Sequence, residues 1–255
     1  PSEIEDKQVM EIGEYVFADN SNLTKLIIPK GIEKIRDYAF MNCTNLGMVY
    51  YTGSREDWYN VKIDSGNEAL KSKEVYCDAL VKNDESGVWV AQQMFDDTCI
   101  ITDYFGNANK VQIPSEIADR SVMEIGEYLF AGNNNLTTVI IPESIKHIRE
   151  GVFMNCDKLS DVYYTGNESQ WCNVSVNHDN HSLINATIHY NYTESVKGDV
   201  NGDNRLAVDD VIYVLKGIVG DMELTAEQIE NADLSGDGQL TVVDAVLLQR
   251  AILEL

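Results

Sequence analysis

Apolar and polar residues alternate in short bursts along most of the chain and switch to a helical period near its end. In Leu23-Thr24-Lys25-Leu26-Ile27-Ile28-Pro29, the alternation sets Leu23, Leu26 and Ile28 inward and Lys25 and Ile27 outward, which predicts a strand ended by Pro29. Ile32, Ile35 and Phe40 then anchor a return segment. The unit recurs after 23 residues, pairing Ile12 with Ile35, Phe17 with Phe40 and Leu23 with Leu46. The same spacing returns at Ile125 and Ile148, Phe130 and Phe153, Leu136 and Leu159.

A longer repeat encloses the short one. Residues 1–58 and 114–171 align without a gap at an offset of 113 and match at roughly three-fifths of positions. Each copy runs on into a closing unit, Tyr50-Tyr51-Thr52-Gly53 with Trp58 in one and Tyr163-Tyr164-Thr165-Gly166 with Trp171 in the other. A period in the twenties built from a strand and an irregular return is that of a leucine-rich repeat solenoid. The combination of Ile-Gly-Glu-Tyr-x-Phe, Asn-Leu-Thr, Ile-Ile-Pro and Phe-Met-Asn-Cys resembles the BspA-like class of bacterial surface leucine-rich repeats, over nearly all of residues 1–190.

The expected layout has a first repeat block at 1–80, a connecting β-hairpin at 81–113 and a second block at 114–192. Residues 88–93 and 99–102 read as the hairpin strands around Asp96-Asp97 and lead into Val111-Gln112-Ile113-Pro114. The first copy has no such hairpin. Because Pro1 corresponds to Pro114 in mid-repeat, the chain is expected to begin inside a longer parent protein.

Past residue 197 the pattern is helical. Leu206, Val211, Val214 and Ile218 form one apolar stripe, and Val208, Ile212, Leu215 and Val219 form a second. The next such segment places Leu240, Ala245, Leu248 and Ile252 inside, with Val242, Val246 and Leu253 outside. A helix apolar nearly all round should be buried, and a module this small cannot surround it. The outer stripes therefore predict a partner. Between the two segments, Thr225 and Gln228 form a capping-box pair that starts a short helix over 225–232.

Each helical segment follows an acidic loop. Asp199-Val200-Asn201-Gly202-Asp203 leads to Asp210, and Asp233-Leu234-Ser235-Gly236-Asp237 leads to Asp244. Calcium takes six to eight oxygen ligands, and a twelve-residue loop provides them from positions 1, 3, 5, 7 and 12. The candidate ligands are Asp199, Asn201, Asp203, Asp210 and the Arg205 carbonyl in one loop, and Asp233, Ser235, Asp237, Asp244 and the Gln239 carbonyl in the other. Two ions are expected. Gly238 supplies the turn at position 6, where Asn204 stands in the first loop. Position 12 is Asp rather than Glu, and only Glu194-Ser195-Val196-Lys197-Gly198 precedes the first loop, so each unit is a loop followed by one helix.

These paired loop-helix units resemble a dockerin, here a small all-α module at 197–255. The resemblance implies docking onto a cohesin module of a scaffolding protein, in a cellulosome or on a bacterial surface, and hence a secreted, extracellular location. It places recognition at Val208, Asp209, Leu215, Lys216 and Gly220 in one half and at Val242, Val243, Gln249, Arg250 and Glu254 in the other. With the outer stripes added, the candidate partner face is Val208, Asp209, Ile212, Leu215, Lys216, Val219, Val242, Val243, Val246, Gln249, Arg250 and Leu253. The halves differ in chemistry, so one binding orientation is expected to dominate.

If the repeats hold a protein or carbohydrate ligand, it should meet the outward strand positions, Lys25, Ile27, Met48 and Tyr50 in one copy and Thr138, Ile140, Asp161 and Tyr163 in the other. A face that serves only as scaffold remains an alternative.

Composition changes the picture little. With 42 acidic against 19 basic residues the net charge is −23, which disfavours nucleic acid and anionic membranes. No stretch is apolar enough for membrane insertion. Cys43 and Cys156 share a repeat position and read as small buried core residues, and no two of the 5 cysteines sit at zinc-site spacing. Asn177-His178-Asp179-Asn180-His181 reads as a solvated loop. There is no Gly-x-Ser-x-Gly, no His-Glu-x-x-His and no phosphate-cradling loop, so the chain is expected not to be an enzyme. Two rival readings stay open: a non-catalytic part of a larger polysaccharide- or protein-degrading enzyme, and a calcium-stabilised adhesin without a cohesin partner.

Overall fold

The computed structural model describes residues 3–4, 7–94, 96–193, 197–202 and 205–253. The chain forms two compact units, Pro1–Asn191 and Tyr192–Leu255.

In the first unit the 23-residue period becomes two parallel ladders per copy, because each repeat lays its strand beside the equivalent strand of its neighbour. Lys25–Ile28, Met48–Tyr51 and Val75–Tyr76 form one sheet, with Leu26 opposite Val49 and Val49 opposite Val75. Glu11–Ile12, Lys34–Ile35 and Lys62–Ile63 form the other. Between them lies a core that includes Ile28, Ile35, Phe40, Leu46, Val49 and Tyr51, with Phe17 stacked on Phe40 at 5.2 Å. Cys43 is buried here and donates to the Phe17 carbonyl, as Cys156 does to that of Phe130.

The second copy repeats this with Lys110–Gln112, Thr138–Ile141, Asp161–Tyr164 and Thr187–His189 in one sheet. Short helices close both copies. Arg55–Asn60 is capped by Ser54 and Asp57, Glu168–Trp171 by Asn167 and Gln170, and their tryptophans pack on Tyr51 and Tyr164. Buried Asn67 and Asn180 each accept from a phenylalanine N–H and donate to turn carbonyls, so irregular returns keep their backbone satisfied.

The connecting element is larger than a hairpin. Gly87–Gln93 pairs antiparallel with Thr98–Gly106, and a third strand, Leu80–Asp84, pairs with its other edge. Asp84 fixes that turn by accepting from the Ser86 and Gly87 N–H groups and from the Trp89 indole. Thr98–Gly106 then runs parallel to Arg120–Ile125, placing Cys99 opposite Val122, so the hairpin joins the back sheet of the second copy.

Among its described residues the second unit holds three helices, Val208–Val219, Ala226–Ala232 and Val242–Leu253. Thr225 and Gln228 cap the middle one reciprocally, and Gly220 ends the first in a left-handed conformation at φ 79°. Val200, Val214, Ala232, Ala245 and Leu248 form the core, lined by Leu206, Val211, Ile218, Leu240 and Ile252.

Candidate functional site: the acidic loops and the outer faces

The two acidic loops are shaped by their own carboxylates. Asp199 accepts from the Gly202 N–H at 2.8 Å, and Asp233 accepts from Gly236 at 2.7 Å and Gly238 at 2.8 Å. All three glycines have φ between 74° and 80°, the left-handed region that glycine enters freely. Position 6 was legible in the sequence, whereas the turn at position 4, Gly202 and Gly236, was not. The N–H groups beside Asp233, that of Gly238 foremost, hold its carboxyl below the ordinary carboxylate range.

The position-12 carboxylates close each loop onto its helix. Asp210 accepts from the N–H groups of Val200, Asn201 and Ala207. Asp244 accepts from the N–H groups of Ser235 and Thr241 and from the Thr241 hydroxyl. Both side chains are fully buried, at 0% exposure. Burial pushes the Asp244 carboxyl up, but the bonds from Ser235 and Thr241 outweigh it and hold it at about 2.

Among the described residues, no lysine, arginine or histidine pairs with Asp210 or Asp244. A buried charge without a counter-charge is costly. The candidate donors are all oxygen, carboxylate, amide, hydroxyl and main-chain carbonyl, which suits a hard cation such as calcium. Asp203 and Asn204 lie outside the described residues. Among the described ones, no three His, Cys, Asp or Glu side chains converge on one metal position; the loop carboxylates are instead turned toward loop N–H groups. Asp237 accepts from the Gln239 N–H at 2.8 Å, and Arg205 and Gln239 are exposed.

On the helices the outer stripe stands apart from the core stripe. Val208 is 66% exposed and Leu253 79%, and Ile212, Leu215, Val219, Val242, Val243 and Val246 are exposed as well. Asp209, Lys216, Gln249 and Arg250 lie exposed among them, and Asp209 accepts from the Asn201 amide at 3.1 Å. Glu254 lies outside the described residues.

The repeat faces differ from the expectation. Tyr50 is only 2% exposed, and with Ala79 and Val90 it forms a buried cluster packed by Ile27, Tyr76 and Phe105. The hairpin covers this row. Asp103, buried on the strand Thr98–Gly106, accepts from Lys25 Nζ at 2.5 Å and from the Tyr50 hydroxyl at 3.0 Å, and Lys25 lies over the Phe105 ring at 5.4 Å. Burial first and then Asp103 raise the Tyr50 phenol. An exposed Tyr50 is thus corrected, because the chain's own apolar strand and its carboxylate cover it, while Lys25 and Ile27 are half-buried. Met48 stays exposed. In the second copy Ile140 is buried, while Thr138, Asp161 and Tyr163 are half-buried. His189 stacks on Tyr163 at 4.5 Å and bonds Asp161 at 2.9 Å.

Six copies of the BspA type leucine rich repeat region match residues 3–60 and 98–196. The chain belongs to the BspA-type leucine-rich repeat family. Residues 197–253 match the dockerin type I domain. Similar solved structures include a leucine-rich repeat protein from Bacteroides capillosus, 26% identical over 40% of this chain and 93% of that one, with a TM-score of 0.30. A leucine-rich repeat protein of T. pallidum is 18% identical over 85% and 80%, at 0.25. One from Bacteroides ovatus is 15% identical over 74% and 70%, at 0.22. No curated protein matches the chain. This BspA-type protein therefore joins non-catalytic repeat and dockerin modules, and the dockerin implies docking to a cohesin in a cellulosome-like assembly. Among the described residues, no helix is long and apolar enough to cross a membrane.

Proposed function

We propose that the protein is a secreted, extracellular binding module held on a scaffold by calcium-dependent docking of its dockerin to a cohesin, while its repeats hold a protein or carbohydrate ligand. The observation that carries this reading is the double-sided helix pair: the inner stripes fill the small core, and the outer stripes of both helices are left in solvent. An apolar surface of this kind is costly unless something covers it.

Asp199, Asn201, Asp203 and Asp210 with the Arg205 carbonyl would hold one calcium ion, and Asp233, Ser235, Asp237 and Asp244 with the Gln239 carbonyl a second. Calcium would supply the positive charge that buried Asp210 and Asp244 lack among the described side chains. Asp210 ties Val200 and Asn201 to the start of its helix, and Asp244 ties Ser235 and Thr241 to the start of the other. Loop order thereby sets where the outer stripes point.

The halves present unequal chemistry, Leu215 and Lys216 against Gln249 and Arg250, and Asp209 against Val243. One orientation on the cohesin dominates in consequence. Asp199→Ala tests the coupling: it should weaken calcium uptake and cohesin binding together. Weakened uptake with undiminished cohesin affinity would sink it.

A further inference from the structure

The two loops of the C-terminal unit begin against one another. The Gly198 N–H donates to the Asn231 carbonyl at 3.0 Å and to Asn231 Oδ1 at 3.3 Å. The same side chain donates from Nδ2 to the Asp199 carbonyl. Lys197 Nζ donates to the Glu230 carbonyl at 2.5 Å, and Gln228 Nε2 to the Val200 carbonyl at 2.9 Å. The middle helix, Ala226–Ala232, thus grips Lys197, Gly198, Asp199 and Val200, where the chain enters the first loop, by main chain and side chain.

The grip is tight and dry. Asn231 is only 9% exposed, and Asp199 is buried beside it. Gly198 has φ 94°, and a Cβ there would come within 2.7 Å of Leu248 and 2.8 Å of Leu206, so no larger residue fits without displacing the core. The helix that supplies Asn231 ends at Asp233, the first residue of the second loop, whose N–H donates to the Ile229 carbonyl. Anything that orders the second loop also holds the end of this helix, and through Asn231 it holds the first loop.

We propose that Asn231 is a positioning residue that couples the two acidic loops, so that ordering one favours ordering, and calcium uptake, in the other. The calcium part rests on the function proposed above, whereas the mechanical part does not. Among the described residues, the Asn231 side chain bonds the Gly198 N–H and the Asp199 main-chain carbonyl. It holds the main chain that carries Asp199 and so acts only through it.

The test separates the two parts. Gly238→Val places a β-branched residue at φ 77° in the second loop and leaves every residue of the first loop intact. In the otherwise unaltered chain in chelator it should speed hydrogen exchange at Val200 and Asn201, whose N–H groups lie in the first loop, by roughly fivefold. With Asn231→Ala already present, Gly238→Val should no longer change those rates. Asn231→Asp, which keeps the acceptor for Gly198 and replaces the donor to Asp199 with a repelling carboxylate oxygen, should give the same readout. Equal acceleration in all backgrounds overturns the coupling.

Calcium titration of the same chains, followed at Gly202 and Gly236 by NMR, then divides the outcomes. Exchange coupling without calcium uptake leaves the coupling standing and removes the calcium reading. Two independent calcium sites, unchanged by either Asn231 variant, keep the calcium reading and overturn the coupling.

Discussion

The repeat unit and the dockerin are both built by internal duplication, and they treat outward apolar residues in opposite ways. In the first repeat copy, Ile27, Tyr50 and Tyr76 face away from the solenoid core yet are covered by Val90 and Phe105 of the connecting sheet. In the dockerin, Val208, Ile212, Leu215 and Val219 face away from the small core and stay in solvent. The same alternation of residue types therefore serves the fold where the chain supplies its own cover and recognition where it does not. Burial, rather than hydrophobicity, separates the two.

The largest effect that sharpens this contrast is Tyr50→Ala. It empties a buried site under the hairpin and strips Asp103 of its hydroxyl donor, so the repeat unit should lose about 3 kcal/mol. Cohesin titration should be unchanged, and an equal loss of both would break the comparison.

Chelation should act on the other side. A ligand bound only by the native state stabilises it by about 2.7 kcal/mol at a hundredfold excess over Kd. Differential scanning calorimetry in chelator should therefore lower the melting transition of the dockerin and leave that of the repeats in place.

The paired substitution Val208→Asp and Val246→Asp should weaken cohesin binding at least tenfold, about 1.4 kcal/mol. Because both residues are exposed, stability should move by no more than about 0.5 kcal/mol. A large fall in stability would mean that these valines pack against the chain after all.

A separate effect concerns pH. The Asp244 carboxyl stands at about 2 in the fold against about 3.9 for an unperturbed aspartate. A depressed folded-state value adds stability that is fully present above about pH 4 and lost as pH falls toward 2. Acid titration in chelator should show this loss in the chain and a smaller one in Asp244→Asn.

Much of this was legible from residues alone, because a fixed 23-residue period dictates parallel strand register and a helical period dictates which stripe is buried. Leu26 opposite Val49 and exposed Val208 both follow from spacing. The strand Leu80–Asp84 was not legible, since the polar run Lys82-Asn83-Asp84 reads as a loop until Gly87–Gln93 supplies a partner. Nor was the cover over Tyr50, because alternation tells which way a side chain points but not what lies beyond it. Asn67 and Asn180 left a signal, standing at the same offset of 113 as the repeats, past the segment that aligns most clearly. Asn231 left none, since its role depends on Gly198 arriving from 33 residues earlier.

The measurement that bears most directly on the central claim is calorimetric titration of the chain with a panel of cohesins, in calcium and again in chelator. The account predicts near 1:1 binding to one member in calcium, abolished by chelator and weakened by Val208→Asp with Val246→Asp. No binding across the panel, or binding indifferent to both calcium and those valines, would contradict it.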